Sequence, residues 1–144
     1  QALLVWDARK REEKGQRTAA DALDSVARAL PALTRASKLQ SKAAKAGFDW
    51  KDAAPALDKL REELGELERA IAEGSNIEEE LGDLLFAAVK VGRFTQVDGE
   101  TALQRACEKF IRRFRRVEEL AGGPLDQLDV PALEELWSRA KREA

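Results

Sequence analysis

The feature that most restricts the fold is a stripe of large apolar residues that recurs at helical spacing between residues 57 and 71. Its members are Leu57, Leu60, Leu64, Leu67 and Ile71. A spacing of three and four places these side chains on one face of an α-helix, whereas a half-buried strand would need alternation. Polar residues fill most of the other positions, as is typical of a helix that buries one face. No strand pattern competes elsewhere in the sequence, so we predict an all-α fold.

Turn and capping residues divide the chain into successive helices. We predict helices at about 3–15, 24–46, 50–73, 77–94, 99–121 and 131–142, with a polar link at 16–20. Gly47 is expected to end the second helix, and Pro31 either begins the main part of that helix or kinks it. Gly74-Ser75-Asn76 leaves only a tight connection, so the helices on either side are expected to form an antiparallel hairpin. Ser75 with Glu78, or Asn76 with Glu79, would cap the second helix of that hairpin.

Composition limits the class of protein. The 144 residues suit a single domain over 1–144, and 25 basic against 27 acidic residues give a net charge of −2, unlike a uniformly basic nucleic-acid binder. No segment approaches the roughly 20 apolar residues of a membrane span, and no secretory signal is visible. Cys107 is the only cysteine, and it is predicted to be a core thiol beside Phe110 and Phe114 on an apolar helical stripe. We therefore expect a cytoplasmic protein without nucleic-acid or membrane partners.

Histidine is absent from the whole sequence, and this argues against several kinds of site. Di-iron bundles of the ferritin type use Glu-x-x-His motifs, catalytic zinc sites usually use histidine, and Ser-His or Cys-His nucleophile systems require the imidazole. Any proton transfer is therefore expected to use carboxylates, lysine or metal-bound water.

Two pairs of acidic residues are spaced for metal binding: Glu63 with Glu66, and Glu80 with Asp83. Residues three apart project from one side of a helix, so pairs on two facing helices can converge on one point. Oxygen ligands suit hard divalent ions, and Mg²⁺ commonly binds carboxylates together with substrate phosphates. From spacing alone, a solvated acidic face is equally compatible. Against that alternative, Asp83 lies where apolar residues are expected on every side, and an unpaired buried carboxylate is costly.

A basic pair follows on the helix predicted at 99–121. Lys109 and Arg113 are four residues apart, so they can present two cations to one phosphate chain. Taken by themselves, two such cations are more often a solvated surface or partners for acidic helices. Trp6, Trp50 and Trp137 can stack on a base, although an aromatic residue at the edge of a helix more often serves packing.

The motifs around these residues resemble the MazG family of nucleoside triphosphate pyrophosphohydrolases. They are Glu62-Glu63-x-x-Glu66, Glu80-x-x-Asp83, Gly47-Phe48-Asp49-Trp50, Lys109-Phe-x-x-Arg113 and Leu136-Trp137-x-x-Ala-Lys141. The chain is similar over nearly its whole length to the C-terminal, catalytically competent domain of family members that carry two domains. It is therefore expected to be either a piece of a longer protein or a naturally shorter form. It departs from the family's pattern at the link around 16–21 and at Phe94-Thr95, where an Arg-His ending is common.

The resemblance implies a fold, a reaction and a set of site residues. Family members are all-α, four-helix-type bundles that form homodimers and hydrolyse the α–β phosphoanhydride of (d)NTPs to (d)NMP and pyrophosphate. By the resemblance, Mg²⁺, with Mn²⁺ as a substitute, is expected to be held by the catalytic acids Glu63, Glu66, Glu80 and Asp83. Lys109 and Arg113 would hold the triphosphate, and Trp137 and Lys141 would approach the nucleotide.

Two other functions are compatible with the sequence. A related all-α pyrophosphohydrolase specialised for dUTP, dCTP or phosphoribosyl-ATP would differ only in its base pocket. A non-catalytic helical interaction module would explain the high charge and the repeated apolar stripes, and it would show no stabilisation by metal. The side chain that orients the attacking water is also open, with Glu62, Glu79 or a metal ligand itself as candidates.

Overall fold

A computed structural model describes residues 18–143, and within that range every regular element is a helix. We number the α-helices α1 (Ala19–Asp24), α2 (Ala32–Lys45), α3 (Ala53–Glu73), α4 (Ile77–Phe94), α5 (Gly99–Ala121) and α6 (Val130–Glu143), and a 3₁₀ helix spans Leu125–Gln127. The predicted all-α fold class is confirmed. The helix predicted at 3–15 lies outside the described residues.

The chain forms two compact units that meet between Glu100 and Thr101, inside the first turn of α5. In the first unit, α3 packs against α4, α2 packs against α4, and α1 packs against α2. The second unit contains the rest of α5, the 3₁₀ helix and α6. That residues 1–144 form a single domain stays a prediction.

The α3–α4 hairpin has the predicted form, with one difference at its turn. Asp52 caps α3 by accepting a hydrogen bond from the backbone N–H of Ala54, at 3.0 Å. Gly74 ends α3 with a φ of 70°, a left-handed conformation that glycine adopts without steric cost. Asn76 then begins α4 at a φ of 59°, and its side chain makes no capping hydrogen bond. The predicted capping by the Asn76 side chain is therefore wrong, although α4 begins and ends at the predicted residues.

The link between α4 and α5 returns tightly on itself. The backbone N–H of Val97 donates to the carbonyl oxygen of Gly92 at 2.8 Å. A Cβ atom on residue 92 would lie 2.7 Å from the carbonyl oxygen of Val97, closer than a methyl group tolerates. Glycine at position 92 therefore permits this return of the chain.

Two other predicted boundaries are wrong. The helix predicted at 24–46 begins only at Ala32, with Pro31 in the N-cap position, and α1 occupies part of the predicted link. A capping box stabilises α1, because the Asp21 N–H donates to the Thr18 hydroxyl while the Thr18 N–H donates to the Asp21 carboxylate, both at 3.1 Å. Gly47 follows α2 with a φ of 98°, as expected of a residue that ends a helix.

The buried apolar residues are small, and many large ones are exposed. Buried positions on α3 and α4 include Ala56, Ala70, Ala87 and Val89. On α5, Phe110 is 55% exposed, Phe114 is 41% exposed, and Cys107 is exposed as well. The prediction that these three residues belong to the core is wrong for the single chain, since periodicity identifies an apolar face without supplying the surface that covers it.

The helices of residues 18–143 include none that is long and apolar enough to cross a membrane. The predicted cytoplasmic location stays a prediction.

Candidate functional site

Three carboxylates from the α3–α4 hairpin converge in the first unit. Glu63 comes from the middle of α3, while Glu80 and Asp83 come from the first two turns of α4. One carboxylate oxygen of each residue lies within 4.8 Å of the corresponding oxygens of the other two. We call these three residues the acid triad. Their convergence follows from the i,i+3 spacing on α4 and from the packing of α3 along α4.

Glu63 is the buried member of the acid triad, and a lysine from its own helix holds it. Glu63 is only 8% exposed, and the Lys59 ammonium lies 3.0 Å from its carboxylate. Lys59 also lies 3.3 Å from Glu62, and hydrogen bonds to Glu63 and Glu62 raise the pKa of Lys59. The ion pair restricts the orientation of the Glu63 side chain. Sequence reasoning missed Lys59, although its i,i+4 spacing from Glu63 was a usable signal.

Glu80 and Asp83 are the other two members of the acid triad, and neither has a paired lysine like the one beside Glu63 within the described residues. Partial burial, followed by the negative charges of Asp83, Glu66 and neighbouring glutamates, raises the pKa of Glu80. Asp83 is exposed, contrary to the prediction that apolar residues would enclose it, because it lines a cavity beside α4. Repulsion among these carboxylates favours either a proton or a cation between them.

Glu66 is not brought into the acid triad. Its carboxylate accepts two hydrogen bonds from one guanidinium nitrogen of Arg69, at 2.9 and 3.0 Å. Glu66 is still close enough for its charge to help raise the pKa of Glu80. A role for Glu66 as a metal ligand stays a prediction.

A cavity of about 580 Å³ lies next to the acid triad. Glu63, Asp83 and Lys59 contribute to one part of its lining. The rest includes the aromatic residues Phe48, Trp50 and Phe86, together with Lys90. On α4 the lining residues recur at 83, 86, 87 and 90, so the cavity follows one face of that helix for about two turns.

A polar network holds the connector between α2 and α3 against the end of α4. The Trp50 N–H donates to one oxygen of Asp49 at 3.0 Å, and Arg93 donates to the other oxygen at 2.8 Å. Burial by itself would raise the pKa of Asp49, but the hydrogen bonds from Arg93 and Trp50 outweigh it and lower the pKa. The Lys90 ammonium lies 4.7 Å from the centre of the Trp50 ring, within the range of a cation–π contact.

A buried glutamine ties the cavity wall to α2. Gln40 is 3% exposed, and its amide nitrogen donates to the carbonyl oxygen of Phe86 at 2.9 Å. Within residues 18–143, the amide oxygen of Gln40 has no hydrogen-bond partner. This bond fixes the backbone of α4 where Phe86 lines the cavity.

The second unit brings together two of the four predicted substrate-binding residues. The Arg113 guanidinium lies 5.9 Å from the centre of the Trp137 ring. The centres of the Phe110 and Trp137 rings are 5.5 Å apart. Nε of Arg113 is buried and has no hydrogen-bond partner in the described part of the chain. Lys109 and Lys141 are exposed on α5 and α6. A role for any of these residues in substrate binding stays a prediction.

The acid triad has the donor atoms that a hard divalent cation requires. Its three ligand atoms are carboxylate oxygens, and the chain has no histidine that would favour a softer metal. The separation of these oxygens, within 4.8 Å, is compatible with a shared cation. The residues present can therefore hold a metal ion.

Residues 40–117 match the family model of the MazG nucleotide pyrophosphohydrolase domain, which is more than half of the chain. The chain belongs to the MazG family. The matched segment contains the acid triad, the cavity-lining residues of α3 and α4, and the basic pair Lys109 and Arg113. Trp137 and Lys141 lie beyond it. The family resemblance seen in the sequence motifs is confirmed.

Named relatives of this MazG-family chain support the assignment. The chain is 41% identical to the "Nucleoside triphosphate pyrophosphohydrolase" of Escherichia coli (strain K12), over 99% of this chain and 57% of that protein. It is 40% identical to the "Nucleoside triphosphate pyrophosphohydrolase/pyrophosphatase MazG" of Thermotoga maritima, over 94% of this chain and 54% of that protein. It is also 41% identical to the "Uncharacterized protein YabN" of Bacillus subtilis, over 96% of this chain and 29% of that protein. The chain thus spans little more than half the length of the two relatives with a named activity.

Proposed function

We propose that this MazG-family domain hydrolyses the α–β phosphoanhydride of nucleoside triphosphates, with water as co-substrate, to give a nucleoside monophosphate and pyrophosphate. The observation that carries the proposal is the acid triad beside a cavity lined by aromatic side chains. An acidic metal centre suits the phosphates, and aromatic walls suit the nucleoside. The names of the E. coli and T. maritima relatives support the same reaction.

Mg²⁺ is the proposed cofactor, with Mn²⁺ as a substitute. Glu63, Glu80 and Asp83 would hold it, and Glu66 would join them if its pairing with Arg69 were released. Such an ion neutralises phosphate charge and lowers the pKa of a coordinated water. Since Mg²⁺ usually keeps several waters and takes phosphate oxygens as ligands, three or four carboxylates are sufficient.

The residues of the chain have distinct proposed roles in the reaction. Lys59 orients Glu63, because its ammonium lies 3.0 Å from that carboxylate. A carboxylate orients the attacking water and accepts its proton, since the sequence contains no histidine. Glu62, Glu79 and the ligands themselves are the candidates. The oxygen of the water forms the new bond to phosphorus as the α–β bridge breaks, and pyrophosphate leaves.

The basic and aromatic residues of the second unit are proposed to bind the substrate. Lys109 and Arg113 would hold the triphosphate and stabilise charge on the departing pyrophosphate. Among the described residues, no hydrogen bond to the buried Nε holds the Arg113 guanidinium to another group of the chain, and this supports the role. Trp137 and Lys141 would approach the nucleotide.

The proposed function is tested by product analysis with each common NTP and dNTP in the presence of Mg²⁺. We expect ³¹P NMR to show monophosphate and pyrophosphate from the unaltered chain, and at least a hundredfold less product from Glu63→Gln. Glu68→Gln is the matched control, because Glu68 is an exposed glutamate on the same helix. Diphosphate with inorganic phosphate as products would mean that a different bond is cut. Full activity of a folded Glu63→Gln variant would refute the site.

We also propose that the domain works as a homodimer. Leu57, Leu64 and Ile71 recur every seven residues on α3 and are 39%, 47% and 59% exposed. Such a stripe typically packs against another helix, and a second copy of the chain supplies one with the same spacing. Light scattering should give the mass of a dimer at micromolar concentration, and Leu64→Glu should give a folded monomer. A monomer from the unaltered chain would contradict the proposal.

A further inference from the structure

Lys90 is the cationic residue in the part of the cavity that lies away from the acid triad. It lines the cavity beside Trp50 and Phe86, and its ammonium lies 4.7 Å from the centre of the Trp50 ring. The negative charge of Asp49 acts on Lys90, but the ion pair that Asp49 forms is with Arg93. Burial lowers the pKa of Lys90, as expected of an ammonium removed from water. The side chain therefore has donors that no described protein group uses.

The position of Lys90 along α4 suits contact with the far end of a nucleoside. Asp83 and Lys90 line the same cavity and are seven residues apart, which is about 10 Å along a helix axis. A nucleotide whose phosphates lie at the acid triad would extend along this face and place its base near Trp50, Phe86 and Lys90. The aromatic residues offer surfaces for stacking, whereas Lys90 offers hydrogen-bond donors only.

We propose that Lys90 selects the nucleobase of the substrate by donating a hydrogen bond to the O6 carbonyl of a purine or the O4 carbonyl of a pyrimidine, so that guanine and uracil or thymine are preferred over adenine and cytosine. The inference rests on the proposed function, because it requires a nucleotide in this cavity.

Base chemistry explains the direction of the preference. Guanine presents O6 and N7 as adjacent acceptors, and thymine presents O4, as uracil does. Adenine and cytosine instead present an exocyclic amino group at the corresponding position. An ammonium cannot accept a hydrogen bond, so an amino group facing Lys90 would leave two donors opposed. The ammonium would thus favour one set of bases and disfavour the other.

The experiment compares kcat/KM for matched pairs of substrates: GTP with ATP, UTP with CTP, and ITP with ATP. ITP tests the carbonyl directly, because its base has guanine's O6 and N7 but lacks the 2-amino group. We expect roughly tenfold preference for the member of each pair that has the O6 or O4 carbonyl, as one charge-assisted hydrogen bond provides. Lys90→Met keeps an unbranched apolar side chain against Trp50 and should reduce each ratio to about one.

Two further variants separate base selection from a purely structural role. Lys90→Arg keeps the positive charge and the donors, so it should retain the preference in each pair. Lys45→Met removes an exposed lysine from the end of α2 and should leave all ratios unchanged. If Lys90 only held Trp50 in place, Lys90→Met would lower kcat/KM equally for every base and leave the ratios intact.

Equal rates within each pair for the unaltered chain would overturn the inference, and so would a preference that survives in Lys90→Met. Binding of α,β-methylene analogues of GTP and ATP, measured by calorimetry, keeps the inference testable if no substrate is turned over. Tighter binding of the GTP analogue that is lost in Lys90→Met would support the role of Lys90 while the proposed reaction failed. Equal binding, or no binding of either analogue, would overturn the role of Lys90.

Discussion

In the first unit three carboxylates lie within 4.8 Å of one another, whereas in the second unit two carboxylates lie on one guanidinium. Lys59 pairs with Glu63, but Glu80 and Asp83 form no ion pair within residues 18–143. Arg116, by contrast, donates through one nitrogen to Glu143 and through another to Glu119. These bonds raise the pKa of Arg116 and lower the pKa of Glu143.

The difference separates charges that are paired with one another within the chain from carboxylates that could hold a metal ion. Arg116 and its two glutamates satisfy one another within the chain, and such exposed pairs add little to stability. The acid triad retains net negative charge, and this arrangement is costly unless a cation is supplied from outside. Arg113 is an exception within the second unit, since its Nε is buried without a hydrogen-bond partner among the described residues.

The largest expected effect concerns that exception. Arg113→Ala should lower kcat/KM for NTP hydrolysis about a hundredfold, because a guanidinium that pairs with phosphate would be lost. Arg112→Ala, at the exposed neighbouring position on α5, is the control and should have little effect. Steady-state kinetics checks both variants. Equal, small effects would mean that Arg113, like Arg116, has only a structural role.

The second prediction concerns the cation expected at the acid triad. At a Mg²⁺ concentration tenfold above its Kd, the free energy of unfolding should rise by about 1.4 kcal/mol, because the ion binds only the folded state. Asp83→Asn should abolish most of this rise, whereas Glu78→Gln, an exposed change on the same helix, should preserve it. Thermal melts with Mg²⁺ and with NaCl at matched ionic strength distinguish specific binding from screening. Equal stabilisation by the two salts would contradict a metal site.

A third prediction tests whether a charge pair in the first unit can be purely structural. Asp49→Asn should lower the free energy of unfolding at about pH 7 by roughly 1 kcal/mol, since the Asp49 side chain is 18% exposed and bonded to Arg93. The pKa of Asp49 is lowered in the folded protein, so its stabilisation is present above the ordinary pKa of aspartate and is lost as pH falls through the folded value.

Denaturant melts of Asp49→Asn at about pH 7 and about pH 3 test the sign of this dependence. The difference from the unaltered chain should shrink at the lower pH. Asp58→Asn is the control, because Asp58 pairs with Arg61 but is 77% exposed, and it should change stability little at either pH. A constant deficit for Asp49→Asn across the range would indicate lost packing instead of lost charge.

The smallest expected effect is a change in the unfolding midpoint, measured in the presence of a chelator for one variant in each unit. Glu80→Gln should raise the unfolding midpoint at about pH 7.5, because it removes one of several repelling charges whose effect is seen in the raised pKa of Glu80. Glu143→Gln should leave the midpoint nearly unchanged, because an exposed ion pair contributes little. A fall for Glu80→Gln would show that the acid triad is stable without a cation.

Much of the site follows from local spacing, which the sequence displays directly. The α3–α4 hairpin was predictable because Gly74 and the apolar stripe on α3 act over a few residues. The pair of Glu80 and Asp83 was predictable because helical geometry converts an interval of three into a shared side, but the same interval did not bring Glu66 into the acid triad beside Glu63. The cap of α1 was equally local, with Thr18 and Asp21 three residues apart, yet the prediction overlooked it.

Features that depend on long-range packing were not predictable in the same way. Trp50 and Lys90 are forty residues apart, and no periodicity specifies that their side chains meet. Likewise, the apolar spacing of Phe110 and Phe114 identifies a face of α5 without identifying what covers it. Asp83 was expected to be enclosed, because a sequence pattern does not reveal that a cavity opens beside it.

The tight return at Gly92 has a consequence for engineering a more heat-resistant version of the domain. Replacing a glycine inside a helix by alanine is a common route to thermostability, worth up to about 1 kcal/mol per site. At Gly65 and Gly82 an added methyl group would meet no atom within 4 Å, so both positions are open to that strategy in the single chain. Gly92 is closed to it, because the carbonyl oxygen of Val97 already occupies the space. A consensus library that treated these helix glycines alike would gain at the first two positions and lose the α4–α5 connection at the third.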